Sequence, residues 1–295
     1  VTALRLATRG SPLALAQTAR VSERLAGISV DTDVVVVDTE GDRQASTPLV
    51  ELAGRGVFVK EVQAAVLDGR ADVAVHSAKD LPPTSPEGLV LASVPERADP
   101  ADALVGSPLL VLGPGATVAT GAPRRRALLL AERPDLRIVA LRGNVATRLA
   151  ALGRNDVQAV VVAVAALERL GLLDRVAQRL DPDRFVPQVG QGAIALECAA
   201  GTTALELVAR IDDEDAHRAL LAERAFLEEL GAGCELPGGA LAEVRDELVT
   251  IRGVLLSTDG AVAVRGVDAD VDAARAGRML AARLRSGFDR ASDVT

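Results

Sequence analysis

Residues 4–37 read LRLATRGSPLALAQTARVSERLAGISVDTDVVVV, and this stretch decides the fold class. Residues 4–7 form a short β-like run. Ser11 and Pro12 then open a helix reaching about Leu25, with Ser as N-cap and Pro at the first helical position. Residues 30–37 are β-like again. Strand, helix and strand in that order are the signature of an α/β architecture.

The pattern continues outward from there. Residues 39–56 carry Gly41, Pro48, Gly54 and Gly56, and a segment of that length is usually functional, here read as a lid. A helix is expected over 58–67. A buried strand over 71–76 ends in Ser77-Ala78-Lys79-Asp80. Residues 94–101, rich in Pro and charge, read as a break. The alternation restarts with a strand end at 118–119 and a helix over 123–132. A strand over 137–141, a helix over 144–152, a strand over 158–164 and a helix over 165–170 follow. The character changes again near 185–191, before a buried strand at 193–197. A strongly amphipathic helix is expected over 212–230. After it come a glycine-rich loop, three antiparallel strands at 240–244, 248–255 and 261–267, and a last helix over 270–286. Asp270 or Asp272 lies near the start of that helix.

Composition narrows the function. The chain has 295 residues, 49% of them apolar, yet only four Phe and no Trp or Tyr, so its cores are built from Ala, Val and Leu. Base stacking needs aromatic faces, and a net charge of −8 opposes a polyanionic partner, so nucleic acid is not expected. Only Lys60 and Lys79 among the 33 basic residues are lysine; the others are arginine, the planar bidentate partner of carboxylates. The N-terminus lacks a secretory h-region, and the longest apolar run, nine residues over 159–167, is too short to span a bilayer. A soluble cytoplasmic protein is expected, with no membrane partner. No apolar surface stripe calls for a partner subunit, so a monomer is expected as well. Two cysteines make no disulfide framework, and no Cys/His cluster suggests a metal.

Three features suggest chemistry. Cys234 sits in Gly231-Ala232-Gly233-Cys234-Glu235-Leu236-Pro237-Gly238-Gly239, a loop with so little bulk that other groups can approach it. It reads as a nucleophile, an attachment point or an idle loop cysteine. Asp80 closes a strand at the sheet edge where α/β proteins bind ligands, although an ordinary turn aspartate reads the same way. His76 reads as a packed strand residue. Arginines recur at strand-to-helix junctions: Arg9, Arg124, Arg125, Arg142 and, one turn into the next helix, Arg148. A single surface arginine means little. Five in such places suggest a site for several carboxylates, because helix N-termini already favour anions. No phosphate-loop pattern and no Ser-His-Asp set is present.

Six ordered segments carry a resemblance over nearly the whole chain. They are residues 7–14 (ATRGSPLA), 56–61 (GVFVKE), 75–82 (VHSAKDLP), 141–149 (LRGNVATRL), 189–193 (VGQGA) and 233–237 (GCELP). The chain resembles the porphobilinogen deaminase (hydroxymethylbilane synthase) family of haem biosynthesis. The resemblance implies condensation of four porphobilinogen molecules with loss of ammonia, then hydrolysis to a linear tetrapyrrole. It implies a dipyrromethane cofactor joined to Cys234 by a thioether. It makes Asp80 the catalytic carboxylate, stabilising the cationic azafulvene formed as ammonia leaves and helping to move the proton. Arg9, Ser11, Lys79, Thr120, Arg124, Arg125, Arg142, Arg148 and Arg169 match positions that contact carboxylates or cofactor, and Gln191 matches one near the cofactor. The fold implied is two periplasmic-binding-protein-like α/β domains plus a smaller α+β C-terminal domain with a three-stranded antiparallel sheet. The domains would be residues 1–95 with 190–210, residues 99–188, and residues 212–295.

The chain departs from the family pattern in places. Thr120-Gly121-Ala122-Pro123 stands where Thr-Ser-Ser is common, so two hydroxyl donors are missing before the arginine pair. About 1–3 kcal/mol of carboxylate binding is expected to be lost there if nothing compensates. Arg55 and Glu51 also differ, in the lid. The competing readings are a two-domain binding protein for a small carboxylate and a catalytically impaired family member.

Overall fold

The structure is a computed structural model that describes residues 3–39, 59–231 and 237–292. The chain divides into two units, Val1–Ala98 with Gly192–His217, and Asp99–Gln191 with Arg218–Thr295. The expected lid over 39–56, apart from Thr39, and the loop carrying Cys234 lie outside the described residues.

The first unit is built on β1 (Leu4–Arg9), β2 (Thr32–Val37), β3 (Val73–Ser77), β4 (Leu89–Ser93) and β10 (Ile194–Ala199). Their order is β2-β1-β3-β10-β4. β1 runs parallel to β2 and β3, whereas β10 is antiparallel to both β3 and β4. Helix α1 (Pro12–Ala26) begins as its sequence dictates: Ser11 is extended, its Oγ accepts the Ala14 N–H at 3.2 Å, and Pro12 follows. Alternation along the strands sorts side chains to two faces. Leu6, Val73, Val75 and Leu196 pack with Val21 and Leu25 of α1, while Ala7 and Ala74 pack with Val62, Ala65 and Val66 of α2 (Lys60–Leu67). Helix α6 (Thr203–Ala209) joins the α1 side through Ala204 and Val208.

The second unit holds two sheets. β5 (Asp102–Gly106), β6 (Thr117–Ala119), β7 (Arg137–Val139), β8 (Val157–Ala163) and β9 (Val176–Arg179) are ordered β7-β6-β8-β5-β9. The helices here are α3 (Pro123–Glu132), α4 (Val145–Leu149) and α5 (Val164–Arg169). β11 (Gly238–Arg245), β12 (Leu248–Leu256) and β13 (Ala263–Asp270) form the antiparallel sheet. Their core, around Phe226, Ile251, Leu255, Leu280 and Leu284, also draws on α7 (Glu214–Leu230) and α8 (Ala273–Ser292). Val254 and Leu256 of β12 pack with Leu128 and Leu129 of α3.

The structure corrects several expected boundaries. Helix α7 starts at Glu214 and not at 212, because Asp213 accepts the Ala216 N–H at 2.8 Å and so caps it. Asp272, not Asp270, caps α8 by accepting the Arg275 N–H at 2.9 Å; Asp270 closes β13. The strand expected over 137–141 stops at Val139, and the helix expected over 144–152 is confined to Val145–Leu149, capped by Asn144. The sequence reading missed β4, β5, β9 and α6. β5 follows directly on the stretch read as a break, and its antiparallel partner β8 lies over fifty residues away.

Candidate active site

In the first unit, the parallel pairing of β1 and β3 brings their C-terminal ends to one sheet edge. Arg9 closes β1. Ser77 closes β3 and leads into a 3₁₀ turn, Ala78–Asp80. The turn is held by the Ala78 N–H donating to the Ala193 carbonyl at 3.1 Å, and by Leu81 N–H donating to the Ala78 carbonyl at 3.2 Å. Arg9 Nη1 stands 3.9 Å from Asp80 Oδ2, both side chains half-buried. That separation orients the carboxylate electrostatically but exceeds hydrogen-bond reach. Lys79 lies in the same turn. Ser11 spends an acceptor lone pair on the α1 cap and keeps its O–H as a donor.

Beneath this edge lies a buried polar cluster that the sequence reading did not find. Glu197 of β10 is fully buried; its Oε2 accepts Gln63 Nε2 at 2.7 Å and lies 3.2 Å from His76 Nε2. Burial pushes the Glu197 carboxyl up, but His76, Ser85 and Gln63 together hold it below the usual range. These groups come from β3, α2 and the segment after Asp80, so Glu197 lies among the elements that flank the Asp80 turn. His76 is the packed strand residue expected.

In the second unit, Arg124 and Arg125 occupy the first turn of α3, and both are buried. The structure brings them onto Asp102, which the sequence reading missed. Arg124 Nη2 donates to Asp102 Oδ2 at 2.7 Å and Nη1 to the Val186 carbonyl at 2.7 Å. Arg125 donates to Asp102 Oδ1 through Nε at 3.1 Å and Nη2 at 2.7 Å, and through Nη1 to the Val161 carbonyl at 3.2 Å. Gln191 joins them, its Nε2 donating to Asp102 Oδ1 at 2.8 Å and to the Pro100 carbonyl at 2.7 Å. Burial raises the Asp102 carboxyl, yet the Arg125 and Arg124 charges outweigh it and leave the group far below the usual carboxylate range. Burial likewise lowers Arg124, and Asp102 offsets this only in part.

Thr120 is buried; its N–H donates to the Val139 carbonyl at 3.0 Å, and its Oγ1 accepts the Ala122 N–H at 3.3 Å. Arg142 lies in the loop after β7, where its Nη1 is buried and finds no hydrogen-bond partner among the described residues. Arg148 folds back, its Nε donating to the Gly143 carbonyl at 2.9 Å. Arg169 ends α5.

Ala122 is the N-cap of α3, extended at φ −96° and ψ 121°, and has no side-chain oxygen to offer the first turn. Ala122→Ser supplies one. It is expected to raise stability by about 1 kcal/mol, seen as a higher urea midpoint. An unchanged midpoint would mean that the first-turn N–H groups already have partners.

A family model described as "Porphobilinogen deaminase, dipyromethane cofactor binding domain" matches residues 4–207. The chain belongs to the porphobilinogen deaminase family. A second family model, "Porphobilinogen deaminase, C-terminal domain", matches residues 217–286. The porphobilinogen deaminase of Thermus thermophilus is 45% identical over 295 residues, covering 97% of this chain and 93% of that one. The same-named protein of Syntrophotalea carbinolica is 45% identical over 264 residues, covering 88% and 84%. Among solved structures, the methionine-binding protein MetQ matches at 13% identity and a TM-score of 0.44, over 75% of this chain and 93% of that one.

The first matched domain is the family's dipyrromethane-binding domain, and the residues present fit an acidic group of that kind. Two buried guanidinium groups share the single carboxylate of Asp102, leaving a cationic surplus, and Arg142 keeps a buried donor unspent. The second cysteine, Cys198, stands on β10. It is buried, and burial pushes its thiol up to about 12, so it carries almost no thiolate at neutral pH.

Proposed function

We propose that this chain is a hydroxymethylbilane synthase, a transferase of tetrapyrrole synthesis. It condenses four porphobilinogen molecules with loss of ammonia and hydrolyses the product to hydroxymethylbilane. The observation that carries the reading is the match of family models to residues 4–207 and 217–286. The arginine-rich second unit of an otherwise acidic chain supports it, because each pyrrole brings two carboxylates.

Asp80 is the proposed catalytic carboxylate. It accepts a hydrogen bond from the substrate pyrrole N–H, offsets the positive charge that develops as ammonia departs, and holds the proton moved in that step. Arg9 orients it across 3.9 Å. Ser11, Lys79, Thr120, Arg142, Arg148 and Arg169 bind carboxylates through their donors. Within the second unit, Arg124 and Arg125 supply buried positive charge, with Asp102 as internal counter-ion and Gln191 as a further donor to that carboxylate. The dipyrromethane, joined through Cys234, supplies the nucleophilic ring to which substrate units are added. The three-domain division, a cytoplasmic location and a monomeric state belong to the same proposal. Among the described residues, no helix is long and apolar enough to cross a membrane.

Intact mass tests the anchor. Wild type from a haem-competent host is expected to exceed its sequence mass by a dipyrrole. Cys234→Ser should lose the increment, and Cys198→Ser should keep it. A folded, unmodified wild type would overturn the cofactor assignment.

A further inference from the structure

Gly121 sits where the turn after β6 passes the loop after β7, and a Cβ there would overlap the Leu141 carbonyl oxygen. The obstacle is backbone, so no rotamer change relieves it, and one of the two segments has to move. We infer that Gly121 is a positioning residue for Arg142: its missing side chain lets the Leu141–Gly143 loop close onto the Thr120–Pro123 turn and so sets where the Arg142 guanidinium stands. The inference rests on the carboxylate-binding role proposed above for Arg142.

The surroundings determine which segment gives way. On the turn side, the Thr120 N–H is tied to the Val139 carbonyl at 3.0 Å, and Pro123 starts α3, whose Arg124 and Arg125 are anchored to Asp102. On the loop side, Gly143 adopts φ +107°, and its own Cβ would overlap Thr147. Asn144 Oδ1 accepts the Thr147 N–H at 2.9 Å, and Arg148 Nε reaches back to the Gly143 carbonyl at 2.9 Å. Both ends of the loop are therefore braced. Of the residues between these braces and the contact at Leu141, only Arg142 has a long side chain, and its Nη1 is buried with no partner among the described residues. A displacement at Leu141 is delivered to that guanidinium.

Gly121 therefore has a second meaning beside the missing hydroxyl. Replacing it with serine adds a donor but removes the close approach, and the loss dominates because it moves an arginine.

The test is a double-mutant cycle on the full chain, with porphobilinogen as substrate. Gly121→Ser is expected to raise KM about tenfold with kcat within about twofold, and Arg142→Ala to raise KM by a similar or larger factor. The double variant should be no worse than Arg142→Ala within about twofold, since the glycine acts through the arginine. A near-normal KM in Gly121→Ser would overturn the inference. So would a double variant whose defect is the product of the two. If Gly121→Ser does not fold, Gly121→Ala takes its place in the cycle. Failure of both to fold also overturns the inference, because the contact would then serve stability and not the placement of Arg142. A wild type that does not consume porphobilinogen overturns the proposed function instead, which separates the two failures.

Discussion

Asp80→Asn is expected to lower turnover of porphobilinogen by a factor of about 10²–10⁴ and to leave folding and substrate affinity close to wild type. The substitution preserves size and removes only the charge and the proton-accepting capacity. Asp80 lies in a 3₁₀ turn whose backbone bonds come from Ala193 and Ala78, so the fold does not depend on its side chain. Arg9 Nη1, at 3.9 Å, lies beyond hydrogen-bond reach, and both side chains are partly solvated, so little stability is tied up in that pair. The cationic species formed as ammonia leaves needs a carboxylate in place, which an amide does not supply. Single-turnover kinetics with substrate-binding measurements check the split. Near-normal turnover in the variant would remove Asp80 from the mechanism. Equal loss of binding and turnover would recast it as a binding residue.

Asp102→Ala is the variant expected to damage the fold most, by about 3–5 kcal/mol, because it strips two buried guanidinium groups of their shared counter-ion. Gln191 loses a partner as well. The pH dependence has a definite sign. The Asp102 carboxyl is depressed in the folded state, so the unfolded chain binds its proton first. Its stabilisation is complete above the unfolded value of about 4 and is lost as pH falls from there toward the depressed folded value. Glu197 is depressed too and acts in the same direction. Wild type should therefore lose stability steeply on acidification below about pH 4. Asp102→Ala should be weaker at neutral pH and show a shallower acid slope, with Glu197 still contributing. Urea midpoints at a series of pH values read both. A variant as stable as wild type at pH 7 would mean that the arginines find other anions.

The sequence legibly marked the elements that carry local signals. Ser11-Pro12 announced α1, Pro123 opened α3 where expected, and the strand expected over 158–164 stands at Val157–Ala163. The ordered motifs, with Asp80 and the junction arginines among them, pointed to the family. What was illegible has one physical cause. Asp102, Glu197 and Gly121 take their meaning from partners remote in sequence. Gln63 and Glu197 lie 134 residues apart, and Arg124 and Asp102 lie 22 apart on different elements. A buried carboxylate in a short stretch dense with Asp and Pro looks like a solvated loop until its counter-ions are placed.

Arg124, Arg125 and Gln191 show the same limit from the other side. Motif position marked them as ligand-facing, whereas their hydrogen bonds go largely to Asp102 and backbone carbonyls, with the surplus positive charge left over. Gly121 read as a subtraction of hydroxyls. Only the approach of Leu141 reveals it as a contact.

By itself, the sequence determined the α/β alternation, the Ser11 cap of α1 and the family, because each is written in residues close along the chain or in the order of short motifs. The tertiary structure alone decided that β10 returns antiparallel between β3 and β4, that two arginines share one aspartate, and that Gly121 lies against the Leu141 carbonyl. Each of these depends on the free energy of burying charges and backbone against partners that the chain brings together only when it folds.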